Sequence, residues 1–222
     1  MIPRELIGTA QIPGGDQLRL VRHGDDFIIL LDRNELMNTR MSGSEEALAT
    51  LTCARLAEPN KARLLVGGYG MGFTLRAALA ALPADASVTV AELVPEIIDW
   101  ARGPMREVAA GCLDDPRVQL VQDDVTAVIR SSLQTFDGIL LDVDNGPDGL
   151  VRDANDQLYS ASGLQAAQAA LRPGGILAIW SAAKDDAFAQ RLKRAGFAVD
   201  EVAVRARGNG KGAKHTIWFA CH

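Results

Sequence analysis

A glycine-rich run and several acidic side chains are the residues of this sequence whose types and spacing could support chemistry. The run Val66-Gly67-Gly68-Tyr69-Gly70-Met71-Gly72 follows a short apolar segment and precedes a strong helix pattern over residues 74–82. Glycine lets the backbone approach a ligand closely, and the start of a helix offers unpaired N–H groups. A nucleoside or its anionic tail would fit there, although strand-to-helix turns also use glycine for packing alone. The candidate binding residues of the run are Gly67, Gly68, Gly70 and Gly72.

Acidic residues follow the next two apolar segments at a similar place. Glu92 ends the segment Val90-Ala91-Glu92, and its carboxylate could accept hydrogen bonds from both hydroxyls of a ribose. Asp123 and Asp124 follow the run over residues 118–121, where one of them could accept a hydrogen bond from an adenine amino group. A surface position would also explain Glu92, and helix capping would also explain Asp124. The order of glycine run, Glu and Asp after successive segments favours a nucleoside site.

A third acidic set, Asp142-Val143-Asp144-Asn145-Gly146-Pro147-Asp148, follows the apolar run over residues 138–141. Ligands of α/β sheets bind at such strand ends, and a group that is cationic or bears an amine is the complementary partner. Asp142 and Asp144 could act as general base toward an amine, or could orient it and stabilise developing positive charge. Because Asp, Asn and Gly are also ordinary turn residues, a plain turn is the competing interpretation.

The segments that must position these residues alternate between strand and helix patterns. The strand-like runs are residues 62–66, 87–91, 118–121, 138–141 and 176–180. Helix patterns follow each of them, which predicts a parallel sheet covered on both faces. Two last runs, 198–204 and 215–220, flank a glycine-rich turn and predict a closing hairpin.

We therefore predict an α/β protein with a Rossmann-like, doubly wound, mostly parallel sheet of seven strands that includes a C-terminal antiparallel strand. A small N-terminal β hairpin precedes it, because the β-rich runs 18–22 and 27–31 are separated by a turn composition. The predicted division is a small β element over residues 1–43 and a nucleoside-binding domain over residues 44–222.

Composition narrows the class of partner and the compartment. A formal net charge of -5 gives no general attraction to a phosphate backbone, so we expect no nucleic-acid partner. The 3 cysteines and 3 histidines are scattered, which predicts no disulfide framework, no metal site and a reducing, cytoplasmic location. No run has the apolar length of a membrane helix, so we expect no membrane partner. Trp100 and Trp180 are expected to be packing groups.

These residues resemble the spermidine synthase family, the aminopropyltransferases, which share the class I methyltransferase fold. The resemblance spans residues 43–180 and depends on the glycine run through Arg76, on Glu92, on Asp123-Asp124 and on the segment from Asp142 to Tyr159. It implies that Glu92 holds the ribose and that Asp124 holds the adenine amino group.

The same resemblance implies the chemistry of the acidic loop. Asp142 would deprotonate or orient the attacking amine, Tyr159 would lie beside it, and Asp144 could compensate for Asn145 where the family has a second acidic residue. The implied donor is decarboxylated S-adenosylmethionine, which would leave as methylthioadenosine without a metal. The implied acceptor is a polyamine or other small-molecule amine, and the implied assembly is a homodimer.

Departures from the family pattern leave two alternatives open. The glycine run has Tyr69 and Met71 where the family carries an aspartate that binds the amino end of the donor, and Ser44-Glu45-Glu46 replaces an aromatic contact to the amine. Intact S-adenosylmethionine has a carboxylate that backbone N–H groups could bind, so a methyltransferase is one alternative. A nucleoside-binding homologue without catalysis is the other.

Overall fold

The parallel strands form the centre of the molecule, which we describe from a computed structural model over residues 3–143 and 157–221. The first sheet contains β1 (Glu5–Gln11), β2 (Gln17–His23), β3 (Asp26–Leu31) and β4 (Asn34–Asn38). The second contains β5 (Arg63–Gly67), β6 (Ser87–Ala91), β7 (Val118–Val121), β8 (Phe136–Leu141), β9 (Leu171–Ser181), β10 (Ala198–Arg205) and β11 (Lys214–Cys221). The helices are α1 (Gly43–Cys53), α2 (Phe73–Ala81), α3 (Pro95–Arg102), α4 (Arg106–Ala109), α5 (Val125–Arg130), α6 (Ala161–Ala170) and α7 (Asp186–Arg194).

The N-terminal sheet is antiparallel, in the order β1-β2-β3-β4. Its central pair, β2 and β3, is the hairpin that the sequence predicts, with Leu20 opposite Ile29. The outer strands β1 and β4 extend this hairpin into a sheet of four strands. They carry mostly exposed or half-buried side chains and therefore lack the apolar run that marks a buried strand in a sequence.

The second sheet has seven strands in the order β10-β11-β9-β8-β5-β6-β7. Strands β5 to β9 are parallel, and β11 lies antiparallel between β9 and β10. This confirms the predicted α/β fold with its mostly parallel sheet and its antiparallel C-terminal strand. Strand β9 begins earlier than predicted, because Leu171 already pairs with Phe136 of β8, and a register shift separates this pair from Gly138 and Ile176.

Apolar side chains on both faces of the parallel sheet create the core. Leu64 and Leu65, neighbours on β5, are both 0% exposed and belong to core clusters on opposite faces. The cluster around Leu64 also contains Leu20 and Ile29 of the N-terminal sheet. The N-terminal sheet therefore packs against the parallel sheet and closes one side of its strand ends. No helix among the described residues is long and apolar enough to span a membrane.

Candidate active site

A cavity opens where β5, β6, β7 and β8 end, and the N-terminal sheet forms its far wall. Its acidic lining residues are Glu45, Glu92, Asp124 and Asp142. The wall from the N-terminal segment is apolar and consists of Ile12, Leu18, Ile29, Leu36 and Met37. The acidic residues thus come to one place from four parts of the chain, as expected for the carboxyl edge of a parallel sheet.

The glycine run forms the floor of this cavity through two of its glycines. Gly68 and Gly70 line it, with φ angles of 80° and 56° that disfavour other residues. A side chain at Gly70 would also meet Met37 Sδ at 2.8 Å. Gly67 and Gly72 lie behind the floor, where a Cβ atom at Gly67 would meet Val125 Cγ2 at 2.8 Å. The run therefore combines close backbone approach to a ligand with tight packing.

Tyr69 and Met71 point into the protein rather than into the cavity. They are 4% and 1% exposed, and neither lines the cavity. The Tyr69 hydroxyl lies 3.4 Å from Cys112 Sγ, and burial raises the pKa of this phenol. These two residue types are therefore explained by core packing, and the ligand side of the loop is backbone.

Glu92 ties the glycine loop to the end of β6. Its Oε2 accepts a hydrogen bond from the Tyr69 N–H and its Oε1 accepts one from the Val94 N–H, both at 2.8 Å. Only 5% of the residue is exposed, and this burial raises the pKa of the carboxyl group while the backbone N–H groups lower it. Glu92 thus shapes the loop and still faces the cavity, where each oxygen has a second lone pair.

Asp124 and Asp123 have different places. Asp124 lines the cavity and caps α5, because its Oδ1 accepts a hydrogen bond of 2.7 Å from the Thr126 N–H. Asp123 is exposed, does not line the cavity, and accepts a hydrogen bond from the Asp124 N–H at 2.8 Å. Of the two carboxylates, only Asp124 is in position to contact a ligand directly.

Asp142 follows β8 directly and lines the cavity beside the glycine loop. Its Oδ2 accepts a hydrogen bond of 2.9 Å from the Thr74 hydroxyl of α2, and its backbone carbonyl lies 3.1 Å from where a Cβ atom of Gly68 would be. Burial raises its pKa to about 6, against the lowering effect of the Thr74 hydroxyl. At neutral pH most of this carboxyl group is ionised. A pKa close to the working pH suits a proton acceptor.

Glu45 is a cavity residue that sequence reasoning did not select. It lies on α1, is 6% exposed, and its Oε2 accepts a hydrogen bond of 2.6 Å from the Ser44 hydroxyl. Burial, and then the negative charge of Asp142, raise its pKa to about 8. The only signal in the sequence was the departure Ser44-Glu45-Glu46 from the aromatic pattern.

The remaining predicted residues lie elsewhere. Tyr159 is 1% exposed, packs edge-on against Phe188 with ring centroids 5.5 Å apart, and is not among the residues that line the cavity. Asp144 lies outside the described residues. Trp180, expected to be a packing group, is 7% exposed and also lines the cavity. His215 was expected to be isolated, but its Nδ1 lies 2.9 Å from Ser44 Oγ.

Residues 3–143 and 157–221 contain no cluster of three or more histidine, cysteine, aspartate or glutamate side chains suited to a metal ion. What the cavity offers instead is a backbone floor, four carboxylates and an apolar wall. This combination suits an uncharged or cationic organic ligand with hydroxyl groups.

The sequence matches one family model over two thirds of its length. Residues 42–190 match the spermine/spermidine synthase domain. A polyamine aminopropyltransferase of Mycobacterium tuberculosis is 33% identical over 167 residues, which cover 73% of this chain and 30% of that protein. Polyamine aminopropyltransferase 2 of Pseudomonas aeruginosa is 30% identical over 130 residues, which cover 57% of this chain and 35% of that protein. The match thus spans about a third of these relatives' length.

Solved structures share the fold. The crystal structure of spermidine synthase from Thermotoga maritima superposes with a TM-score of 0.76 at 20% identity, covering 97% of this chain and 72% of that chain. A spermidine synthase in complex with the transition state analogue AdoDATO gives a TM-score of 0.75 at 19% identity, with the same coverage. At such identity these similarities establish the architecture.

Proposed function

Since the chain belongs to the spermine/spermidine synthase family, we propose that it transfers an aminopropyl group from decarboxylated S-adenosylmethionine to a small-molecule amine. One observation carries this proposal. Glu92 and Asp124, the predicted nucleoside-binding residues, line the same cavity as the carboxylate of Asp142. A nucleoside donor and an amine acceptor could then react across one space.

The donor's nucleoside would occupy the side of the cavity nearest β6. Glu92 would accept hydrogen bonds from the ribose hydroxyls, and Asp124 would accept one from the adenine amino group. Val94, Ile97 and Val125 line the same side and offer apolar surface to the adenine ring. Gly68 and Gly70 leave room for the sulfonium end of the donor to reach Asp142.

The proposed reaction is a displacement at carbon. The acceptor nitrogen uses its lone pair to attack the aminopropyl methylene carbon that is bonded to the positively charged sulfur. The carbon–sulfur bond breaks, its electron pair stays on sulfur, and methylthioadenosine leaves as a neutral thioether. The new ammonium loses one proton, for which the Asp142 carboxylate is the acceptor in the cavity. Charges and atoms balance without a metal or a redox partner.

Methyl transfer from intact S-adenosylmethionine is the alternative that the glycine loop alone would favour. That donor carries a carboxylate, which would share the cavity with the ionised side chain of Asp142. Like charges in a poorly solvated space repel, so the acidic lining favours the decarboxylated donor.

Turnover with each donor tests the proposal. The purified protein is incubated with decarboxylated or intact S-adenosylmethionine and, in turn, putrescine, spermidine and a monoamine. Mass spectrometry quantifies methylthioadenosine, the product of aminopropyl transfer, and S-adenosylhomocysteine, the product that methyl transfer would leave. We expect methylthioadenosine from the decarboxylated donor only, in proportion to the aminopropylated amine. Binding of methylthioadenosine without any turnover would favour a nucleoside-binding homologue instead.

The cytoplasmic location stays a prediction from the scattered cysteines, and the homodimer stays a prediction of the family resemblance. Light scattering after gel filtration tests the dimer, since a monomer at micromolar concentration would contradict it.

A further inference from the structure

The ionisable side chains that line the described part of the cavity are all acidic. Its described lining contains four carboxylates and no lysine, arginine or histidine. Glu92 and Asp124 are held by backbone N–H groups, whereas the side chains of Glu45 and Asp142 receive hydrogen bonds from hydroxyls. A buried carboxylate with so little compensation lacks a positive partner, which a bound ligand can supply.

Glu45 and Asp142 are linked through one threonine. Thr74 Oγ1 donates to Asp142 Oδ2 at 2.9 Å and lies 3.5 Å from the backbone carbonyl oxygen of Glu45. Both carboxylates line the cavity, and each comes from a different element, α1 and the end of β8. They are also close enough for the charge of Asp142 to raise the pKa of Glu45.

Ser44 and His215 hold the Glu45 side chain. Ser44 Oγ donates its one proton to Glu45 Oε2. Toward His215 Nδ1, which lies 2.9 Å away, Ser44 Oγ must therefore accept, so Nδ1 carries the proton. This arrangement assigns the Nδ1–H tautomer to His215 when Glu45 is ionised. The imidazole in turn contacts Trp180 edge-on, with ring centroids 4.8 Å apart. His215, which lies on β11 and does not line the cavity, thus reaches Glu45 only through Ser44.

Trp180 adds an aromatic wall to the same cavity. The residue lines the cavity and is 93% buried, since it is 7% exposed, and its indole Nε1 has no hydrogen-bond partner among the described residues. This N–H is a donor and an ammonium group has no acceptor, so the contribution of Trp180 to an ammonium site is its ring. The ring also offers an aromatic surface that attracts cations.

We propose that Glu45, held in place by Ser44 and His215, forms with Asp142 a two-carboxylate site for a primary ammonium group of a substrate. The ammonium belongs either to the donor's aminopropyl end or to the acceptor. This inference depends on the proposed function, because it names the group that the same cavity recognises. Glu45 is a binding residue in this scheme, and Ser44 and His215 are positioning residues.

Proton release follows from the proposal. In the free protein Glu45, with a pKa of about 8, is largely protonated at pH 7, and it must ionise to bind an ammonium group. Besides Asp142, the charge of Glu46 on the same helix also raises the pKa of Glu45, and Glu46 itself lies 4.0 Å from Arg76 of α2. His215 lies on the other side of Ser44. Binding at pH 7 should therefore release about one proton from the pair.

Calorimetric binding tests the site with three probes, which are decarboxylated S-adenosylmethionine, methylthioadenosine, and putrescine added to the methylthioadenosine complex. We expect Glu45→Gln to weaken one amine-bearing probe about tenfold or more while methylthioadenosine binding changes less than about twofold. The probe that weakens identifies the source of the ammonium group. Glu46→Gln is the matched control on the same helix and should leave all three probes unchanged.

The outcomes distinguish failure of the proposed function from failure of the two-carboxylate site alone. If the unmodified protein binds none of the probes, the proposed function fails and this inference fails with it. If it binds decarboxylated S-adenosylmethionine and putrescine, and Glu45→Gln binds both as tightly, only the inference is overturned. If Glu45→Gln does not fold, proton release by the unmodified protein still tests the site. It is measured by binding in buffers of different ionisation enthalpy. Equal release with methylthioadenosine and with the amine probes would contradict the site.

His215 supplies a test of positioning. Its N–H, acting through Ser44, favours ionised Glu45, so His215→Leu should move the rise in amine affinity with pH to higher pH. His215→Asn retains an N–H donor and should restore the original profile. A purely structural role for His215 would lower affinity equally at all pH values and would overturn its assignment as a positioning residue.

Discussion

The hydroxyl of Thr74 donates a hydrogen bond of 2.9 Å to Oδ2 of Asp142, and this bond connects the first helix after the glycine loop to the fourth strand of the parallel series. Thr74 is 3% exposed, so no bulk water competes for the bond. It favours the ionised carboxylate against the burial that raises the pKa of Asp142 to about 6. Proton acceptance in the proposed reaction depends on that balance.

Replacing Thr74 with valine should shift the pH dependence of aminopropyl transfer. Without the hydroxyl, the pKa of Asp142 rises above about 6, so a larger fraction of the carboxyl group is protonated on the acidic side. We expect kcat/KM to fall about tenfold near pH 6 and much less near pH 9, where Asp142 is ionised in both proteins. Thr52→Val is the matched control, because Thr52 is equally buried and does not line the cavity. An unchanged acidic limb in Thr74→Val would contradict this role.

Asp142→Asn should separate binding from chemistry. Asparagine is nearly isosteric but cannot accept the proton, so we expect kcat to fall about 10²- to 10³-fold while methylthioadenosine affinity changes little. Asp137 lies near the start of β8, the strand that Asp142 follows, and pairs with Arg172 at 3.1 Å. Asp137→Asn is therefore the control. Single-turnover and calorimetric measurements would report the two quantities. Equal loss in both variants would point to a fold defect instead.

Glu92→Gln should weaken nucleoside binding and stability together. A glutamine amide has one accepting oxygen, so one of the N–H groups of Tyr69 and Val94 would face an NH₂ group in a buried place. We expect a loss of stability of about 1–3 kcal/mol and a fall of about tenfold in methylthioadenosine affinity. Thermal unfolding and calorimetry measure them. Glu96→Gln is the control, because Glu96 lies in the first turn of α3 and does not line the cavity. It should change neither the stability nor the affinity.

Glu45 should make stability depend on pH. Its folded-state pKa of about 8 lies above the ordinary 4.5, so the folded protein holds a proton that the unfolded chain releases. The free energy of unfolding then falls as pH rises from 4.5 to about 8, and this contribution is absent in Glu45→Gln. Between pH 5 and 8.5 the variant should gain on the order of 2–4 kcal/mol relative to the unmodified protein in urea unfolding. A parallel pH dependence of the two proteins would show that burial of Glu45 is not costly.

Much of the site was predictable because it depends on chain order. Parallel strands place the residues that follow them at one edge, so Glu92, Asp124 and Asp142 could be assigned together before their geometry was known. The glycine run was predictable for the same reason. Asp123 shows the limit, because period and order cannot distinguish which of two adjacent carboxylates turns toward the cavity.

Contacts between distant parts of the chain were not predictable. Ser44 and His215 are 171 residues apart and meet only because α1 packs beside β11. Trp180 has the apolar pattern of a core residue, and only the shape of the cavity shows that it also forms a wall. The inward orientation of Tyr69 and Met71 depends on the left-handed backbone at Gly68, Gly70 and Gly72, which the sequence allows but does not specify.

The start of α1 rests on the C-terminal hairpin. The N–H of Gly43 donates to the carbonyl of Ala206 at 2.9 Å, and a side chain at Gly43 would overlap the backbone of Arg207 and Gly208. Residues 42–190, the portion shared with the family model, therefore do not by themselves contain everything that aims Glu45. Insertions or deletions in the β10–β11 turn would therefore change the support of α1, and with it the position of Glu45, with the cavity lining unaltered.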